Sequence, residues 1–202
     1  MIGDDEHPGL REIGLDSEDV FRGRLLHVKR DTVRLPDGSE ATREYIVHPG
    51  AVMIVPRLPD GKLLFERQFR YPHQRVFIEF PAGKIDSGED PLATAKRELL
   101  EETGYQAREW HVLVDVFNSP GFTNERVRIF LARGLERRPD SGYQREHEEK
   151  FLTTEWVPLA EAVRAALAGK LHNGEAITGL LAGYTASLEG FSGLRPGDAP
   201  EL

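Results

Sequence analysis

Glu98, Glu101 and Glu102 crowd into the run AKRELLEETGY. On a helix, residues at i, i+3 and i+4 share one face. Like charges gathered there repel one another and weaken a solvated helix. A divalent cation relieves that repulsion, and hard cations such as Mg2+ bind carboxylate oxygens. Divalent metal chemistry is therefore the first candidate. An isolated E-x-x-E-E is more often an ordinary solvated face, so the surrounding residues decide between the two.

Those residues form an ordered array. Gly83 is followed after five positions by Glu89, and after seven more by Arg97-Glu98, Glu101-Glu102 and Gly104. Fixed letters at about 7% abundance each would match by chance on the order of 10⁻⁸ times per start position. The array resembles the box of the Nudix hydrolase family at each of its fixed positions. One departure is Tyr105, where the family prefers an aliphatic residue; it touches packing, not ligation. The resemblance implies metals that bridge a pyrophosphate, neutralise it and help make a nucleophilic water. It implies Mg2+, or Mn2+ in its place, held by Glu98, Glu101, Glu102 and the Ala82 carbonyl. Gly83 and Gly104 read as backbone devices. Arg97 reads as a structural partner for a carboxylate, Glu89 or Glu101, pointing away from the acidic face.

Three further segments are similar to the ADP-ribose pyrophosphatase branch of that family: RQFRYP at 67–72, EFPAGKID at 79–86 and NSPGFTNERV at 118–127. The likeness covers roughly 40–175. It implies Arg70 as a phosphate ligand, Pro120 as a branch marker and Phe122 beside the nucleotide. It also implies Arg43, delivered from an N-terminal sheet, as a second substrate arginine. Tyr71 and Phe69 are candidate adenine stackers, against the commoner reading of strand aromatics as core. A carboxylate from the later acidic stretch REHEEKFLTTEWV would manage the water, with Glu148 and Glu146 ahead of Glu149 and His147. With Glu102 they form the catalytic set. The implied reaction is hydrolysis of a nucleotide sugar, ADP-ribose giving AMP and ribose 5-phosphate. The same chemistry on GDP-mannose or a dinucleotide is an alternative, as is a module that senses a nucleotide without cutting it.

Elements must hold these groups in place. Asp90 is a good N-cap, Pro91 suits the first helical position and Gly104 a C-terminal stop, so the spacing predicts a helix over 91–103. Leu92, Ala95 and Leu99 give it a docking stripe beside the acidic face. AVMIVPRL and KLLFERQFR, joined by Pro59-Asp60-Gly61, read as a β-hairpin, and VFIEF as another strand. HVLVDVF, RVRIFLARGL and FLTTEWVPL are strand-like, and 159–169 and 175–188 are helical. The order implies an α/β (α+β) class, a Nudix fold with a mixed β-sheet between helices. Residues 1–16 read as a flexible arm, 17–47 as a small antiparallel sheet, 48–190 as the hydrolase domain and 191–202 as a frayed tail. In the resembled branch the N-terminal sheet helps form a homodimer.

Bulk composition sets outer limits. The chain has 202 residues, 39% apolar and 30% charged, enough for a core and a polar surface. Its net charge of -8 argues against a nucleic-acid partner. No stretch approaches the ~18 apolar residues of a membrane helix. The acidic start lacks the pattern of a signal peptide. With no cysteine, disulfides and thiolate chemistry are excluded, and a cytoplasmic location is expected.

Overall fold

The computed structural model describes residues 7–138 and 150–201. The chain divides into two compact units, one within Met1–His48 and Phe117–Arg126, the other within Pro49–Val116 and Val127–Leu202.

The first unit is an antiparallel sheet of β1 (Ile13–Arg22), β2 (His27–Arg34) and β3 (Glu40–Ile46), in that order. β1 begins within the stretch read as an arm, because Ile13 and Gly14 already pair with Arg34 and Val33. Every residue of β1 is exposed, including Ile13, Leu15, Val20 and Phe21. The 117–126 segment belongs to this unit: Ile46 donates to the Phe122 carbonyl at 2.9 Å, and His48 N–H to Asn124 Oδ1 at 2.7 Å.

The described residues of the second unit form two sheets. One runs β11 (Arg195–Pro196), β8 (Tyr105–Phe117), β9 (Arg126–Arg137), β4 (Ala51–Pro56), β7 (Ala82–Lys84). It is mixed, since β4 lies parallel to β9 and antiparallel to β7. The other is antiparallel, with β5 (Lys62–Arg70) between β10 (Thr153–Pro158) and β6 (Arg75–Glu79). The helices are α1 (Pro91–Thr103), α2 (Leu159–Leu167) and α3 (Gly174–Leu188).

Strand periodicity builds the layers. Met53 and Val55 of β4, with Val127, Ile129 and Leu131 of β9, face a cluster completed by Ala162 of α2 and Leu180 of α3. The alternate residues, Val52 and Ile54 with Phe130 and Ala132, face Ala95 and Leu99 of α1. A sheet covered on both faces requires such continuous apolar runs, and the expected mixed sheet between helices is observed.

Two further expectations are corrected. β4 and β5 do not form a hairpin: the turn closes through Gly61 N–H to the Leu58 carbonyl, but only a bridge at Arg57 and Leu63 links the strands. The doubly buried β4 is claimed by β9 and β7, so β5 passes to the other sheet. The C-terminal segment is also docked where a frayed tail was expected. Arg128, buried, donates to the Ala199 and Pro200 carbonyls at 2.6 and 2.9 Å and to Asp115 at 2.7 Å, and Arg195 donates to Asp115 at 2.8 Å.

Candidate functional site

Helix α1 spans the residues its caps dictate. The Asp90 carboxylate accepts from the Leu92 and Ala93 N–H groups at 2.9 and 3.2 Å. Gly104, at φ 71°, ends it by donating to the Leu100 carbonyl at 2.9 Å. Ala95 and Leu99 are fully buried and Leu92 packs beside them. The docking stripe thus fixes the rotation of the helix and, with it, the acidic face.

Strand β7 approaches that face closely. A Cβ on Gly83 would overlap the Glu98 carboxyl and lie 2.6 Å from its Cγ. Gly83 is therefore needed for the absence of a side chain, not for an unusual φ. Next to it the Ala82 N–H donates to Glu102 Oε2 at 3.0 Å. The Ala82 residue is thus beside the acidic face, and its contact there is made by the N–H.

Arg97 does not point away from the acids. Its Nε and Nη2 grip Glu89 at 3.1 and 2.9 Å, and Nη1 donates to Glu98 at 2.7 Å and Glu101 at 3.1 Å. Its side chain is long enough to serve both the loop carboxylate and its i+4 neighbour. The bond from Arg97 holds the Glu89 carboxyl down to about 2, and the same grip raises the pKa of Arg97. Because Glu98 and Glu101 share one nitrogen, their carboxylates are neighbours.

Among the described residues no group of three acidic or histidine side chains forms a ready-made metal cage. The donor set nevertheless fits a hard dication: oxygen ligands only, on one helix face, with Glu98 laid in the cradle that Gly83 leaves open.

Arg70 ends β5 and is anchored on Glu79 of β6, its Nε lying 3.0 and 3.1 Å from the two carboxylate oxygens. Burial works against its charge, but Glu79, then Glu102 and Glu175, keep its pKa raised. Glu79 and Glu175 were missed in the sequence. For Glu79 the available signal was a carboxylate at an otherwise apolar position of VFIEF.

Arg43 and Phe122, with Tyr45 and Pro120, line a pocket of about 250 Å³ in the first unit. Arg43 is gripped by Glu12 at 2.6 and 3.0 Å, and the Phe122 ring is exposed. Pro120 sits in a turn closed by the Phe122 N–H on the Ser119 carbonyl at 3.0 Å. Phe69 and Tyr71 are exposed, at 51% and 77%, which removes the core reading. Glu146, His147, Glu148 and Glu149 lie outside the described residues.

A mixed sheet between helices, with an acidic helix face set on a glycine of the adjoining strand, defines the Nudix class of hydrolase. Residues 47–178 match the profile of the NUDIX domain, and 15–46 that of the nucleoside diphosphate sugar hydrolase N-terminal domain. An ADP-ribose pyrophosphatase of Mycobacterium tuberculosis is 43% identical over 91% of this chain and 88% of its own length. A methanol dehydrogenase activator of Bacillus methanolicus is 35% identical, covering 74% of this chain and 80% of its own. The crystal structure of an ADP compounds hydrolase superposes with a TM-score of 0.76 at 26% identity, covering 91% of this chain and 97% of that one. The chain belongs to the Nudix hydrolase family. No helix among the described residues is long and apolar enough to cross a membrane.

Proposed function

We propose that this Nudix hydrolase cleaves the diphosphate of ADP-ribose, adding water to give AMP and ribose 5-phosphate. The observation that carries the reading is the acidic face of α1 seated on Ala82 and Gly83, in a unit that also holds Arg70 anchored on Glu79. Support for the adenosine sugar comes from the Mycobacterium tuberculosis relative.

Glu98, Glu101, Glu102 and the Ala82 carbonyl would hold Mg2+, or Mn2+ in its place. When bound, the metal supplies charge neutralisation for the diphosphate and a more acidic water. The chain's own residues do the rest. Arg97 and Glu89 brace the helix face, so that Glu98 and Glu101 keep their rotamers. Arg70 offers guanidinium donors to a phosphate oxygen. Arg43 and Phe122 are the proposed nucleotide-side contacts. Glu148 or Glu146 orients the attacking water and accepts its proton. The exposed apolar residues of β1 suit a homodimer interface formed by the N-terminal sheet.

Product analysis tests the reading. ADP-ribose with Mg2+ should yield AMP and ribose 5-phosphate in equal amounts, and a chelator should stop the reaction. Faster turnover of GDP-mannose or a dinucleotide would replace the substrate. Tight nucleotide binding without cleavage of any diphosphate would replace the enzyme with a sensor.

A further inference from the structure

Glu79 is nearly inaccessible, with a side chain 5% exposed, and it pairs directly across β5 and β6 with Glu66, also buried. Like charges opposite one another destabilise an antiparallel pair, and burying a carboxylate is costly without a strong partner. A structural sheet position is better filled by an apolar residue, as Phe77 and Ile78 illustrate on the same strand. The grip of Glu79 on Arg70 supplies a reason for its presence. Glu79 takes the Nε and Nη2 edge of the guanidinium in a bidentate arrangement, which fixes the plane of the group as a single contact could not. Arg70 keeps 44% of its side chain exposed, so the Nη1 end is not consumed by this grip. Glu102 and Glu175 also attract Arg70. An unanchored arginine has several free torsions, and fixing them at the moment a diphosphate binds costs conformational entropy.

We propose that Glu79 is a positioning residue: it locks Arg70 so that the remaining guanidinium donors are held in one orientation for the substrate diphosphate. This rests on the reading of Arg70 as a diphosphate ligand. Glu79 touches no reacting atom; it acts through Arg70.

The test is steady-state kinetics on ADP-ribose with saturating Mg2+ for the wild type, E79Q, R70A and the R70A/E79Q double variant. Glutamine preserves the shape but can accept from the guanidinium through only one atom. E79Q should raise KM roughly 10-fold or more while kcat stays within about threefold. The double variant should be no worse than R70A alone, because Glu79 has nothing left to position. E79D should fall between the wild type and E79Q, and serves if E79Q does not fold. A folded E79Q with unchanged KM overturns the proposal. So does a double variant whose losses multiply, since a general structural defect would do that. If the wild type does not cleave ADP-ribose, the substrate reading fails separately. Calorimetric binding of ADP with Mg2+ then decides: equal weakening in R70A and E79Q upholds the positioning role. Unchanged affinity in E79Q, or no ADP binding by the wild type, overturns it.

Discussion

Gly83→Ala adds one methyl group at the most crowded point of the site. The backbone there tolerates alanine, because Gly83 is not among the glycines with positive φ. The strain is therefore purely a clash with Glu98. The new Cβ lies 2.6 Å from the Glu98 Cγ and inside its carboxyl. Cγ must recede by about 1 Å to reach ordinary contact near ~3.5 Å, and the carboxylate by more. That movement breaks the 2.7 Å bond from Arg97. The ion pair is partly exposed, so its loss costs about 1 kcal/mol, or about 2–4 °C in Tm for a domain of this size. The effect on activity is larger, since misplacing a group by ~1 Å in a reacting geometry can cost on the order of 100-fold. Initial rates on ADP-ribose over a range of Mg2+ concentrations, beside a thermal melt, give both quantities. The expected result is kcat/KM down about 100-fold, half-saturation at higher Mg2+, and a folded protein. An alanine variant within threefold of wild-type activity, with unchanged metal dependence, would refute the assignment of Glu98.

Other perturbations separate site from scaffold. Glu102→Gln should lower kcat on the order of 1000-fold or more while leaving the circular dichroism spectrum and the melt nearly unchanged, because Glu102 is not on the packing face. Leu99→Ala should do the opposite first: Leu99 is fully buried under α1, and its truncation should cost about 2–5 kcal/mol in urea unfolding. Asp115 supplies a pH test of the C-terminal clamp. Burial works to raise its pKa, but the bonds from Arg128 and Arg195 outweigh burial and hold it below the usual carboxylate range. A lowered folded pKa stabilises above the ordinary carboxylate value and loses that contribution as pH falls through the folded value. Asp115→Asn should therefore destabilise by about 3 kcal/mol near neutral pH, with the gap from wild type narrowing below about pH 3.9. A gap that stays constant down to pH 3 would remove the ionic clamp from the account.

The sequence by itself determined most of the elements and the acidic face of the box helix. Helix α1 could be placed from Asp90, Pro91 and Gly104 because capping is local: each cap bonds to backbone within a turn of itself. The acidic face followed from i, i+3, i+4 spacing. Tertiary structure decided what those local rules do not contain. Which sheet accepts β5 depends on competition for the edges of β4, settled by β9 and β7 far along the chain. The order of the C-terminal segment depends on Arg128, whose buried charge needs the Ala199 and Pro200 carbonyls as well as Asp115. The pairing of Arg97 with Glu89 and Glu101 was legible in the sequence, but its bond to Glu98 on the acidic face was not, because a long side chain turns toward whichever carboxylates folding places within its reach. Glu79 was missed for the same reason at longer range. A carboxylate in a strand gains meaning only when folding buries it against the arginine that closes the neighbouring strand.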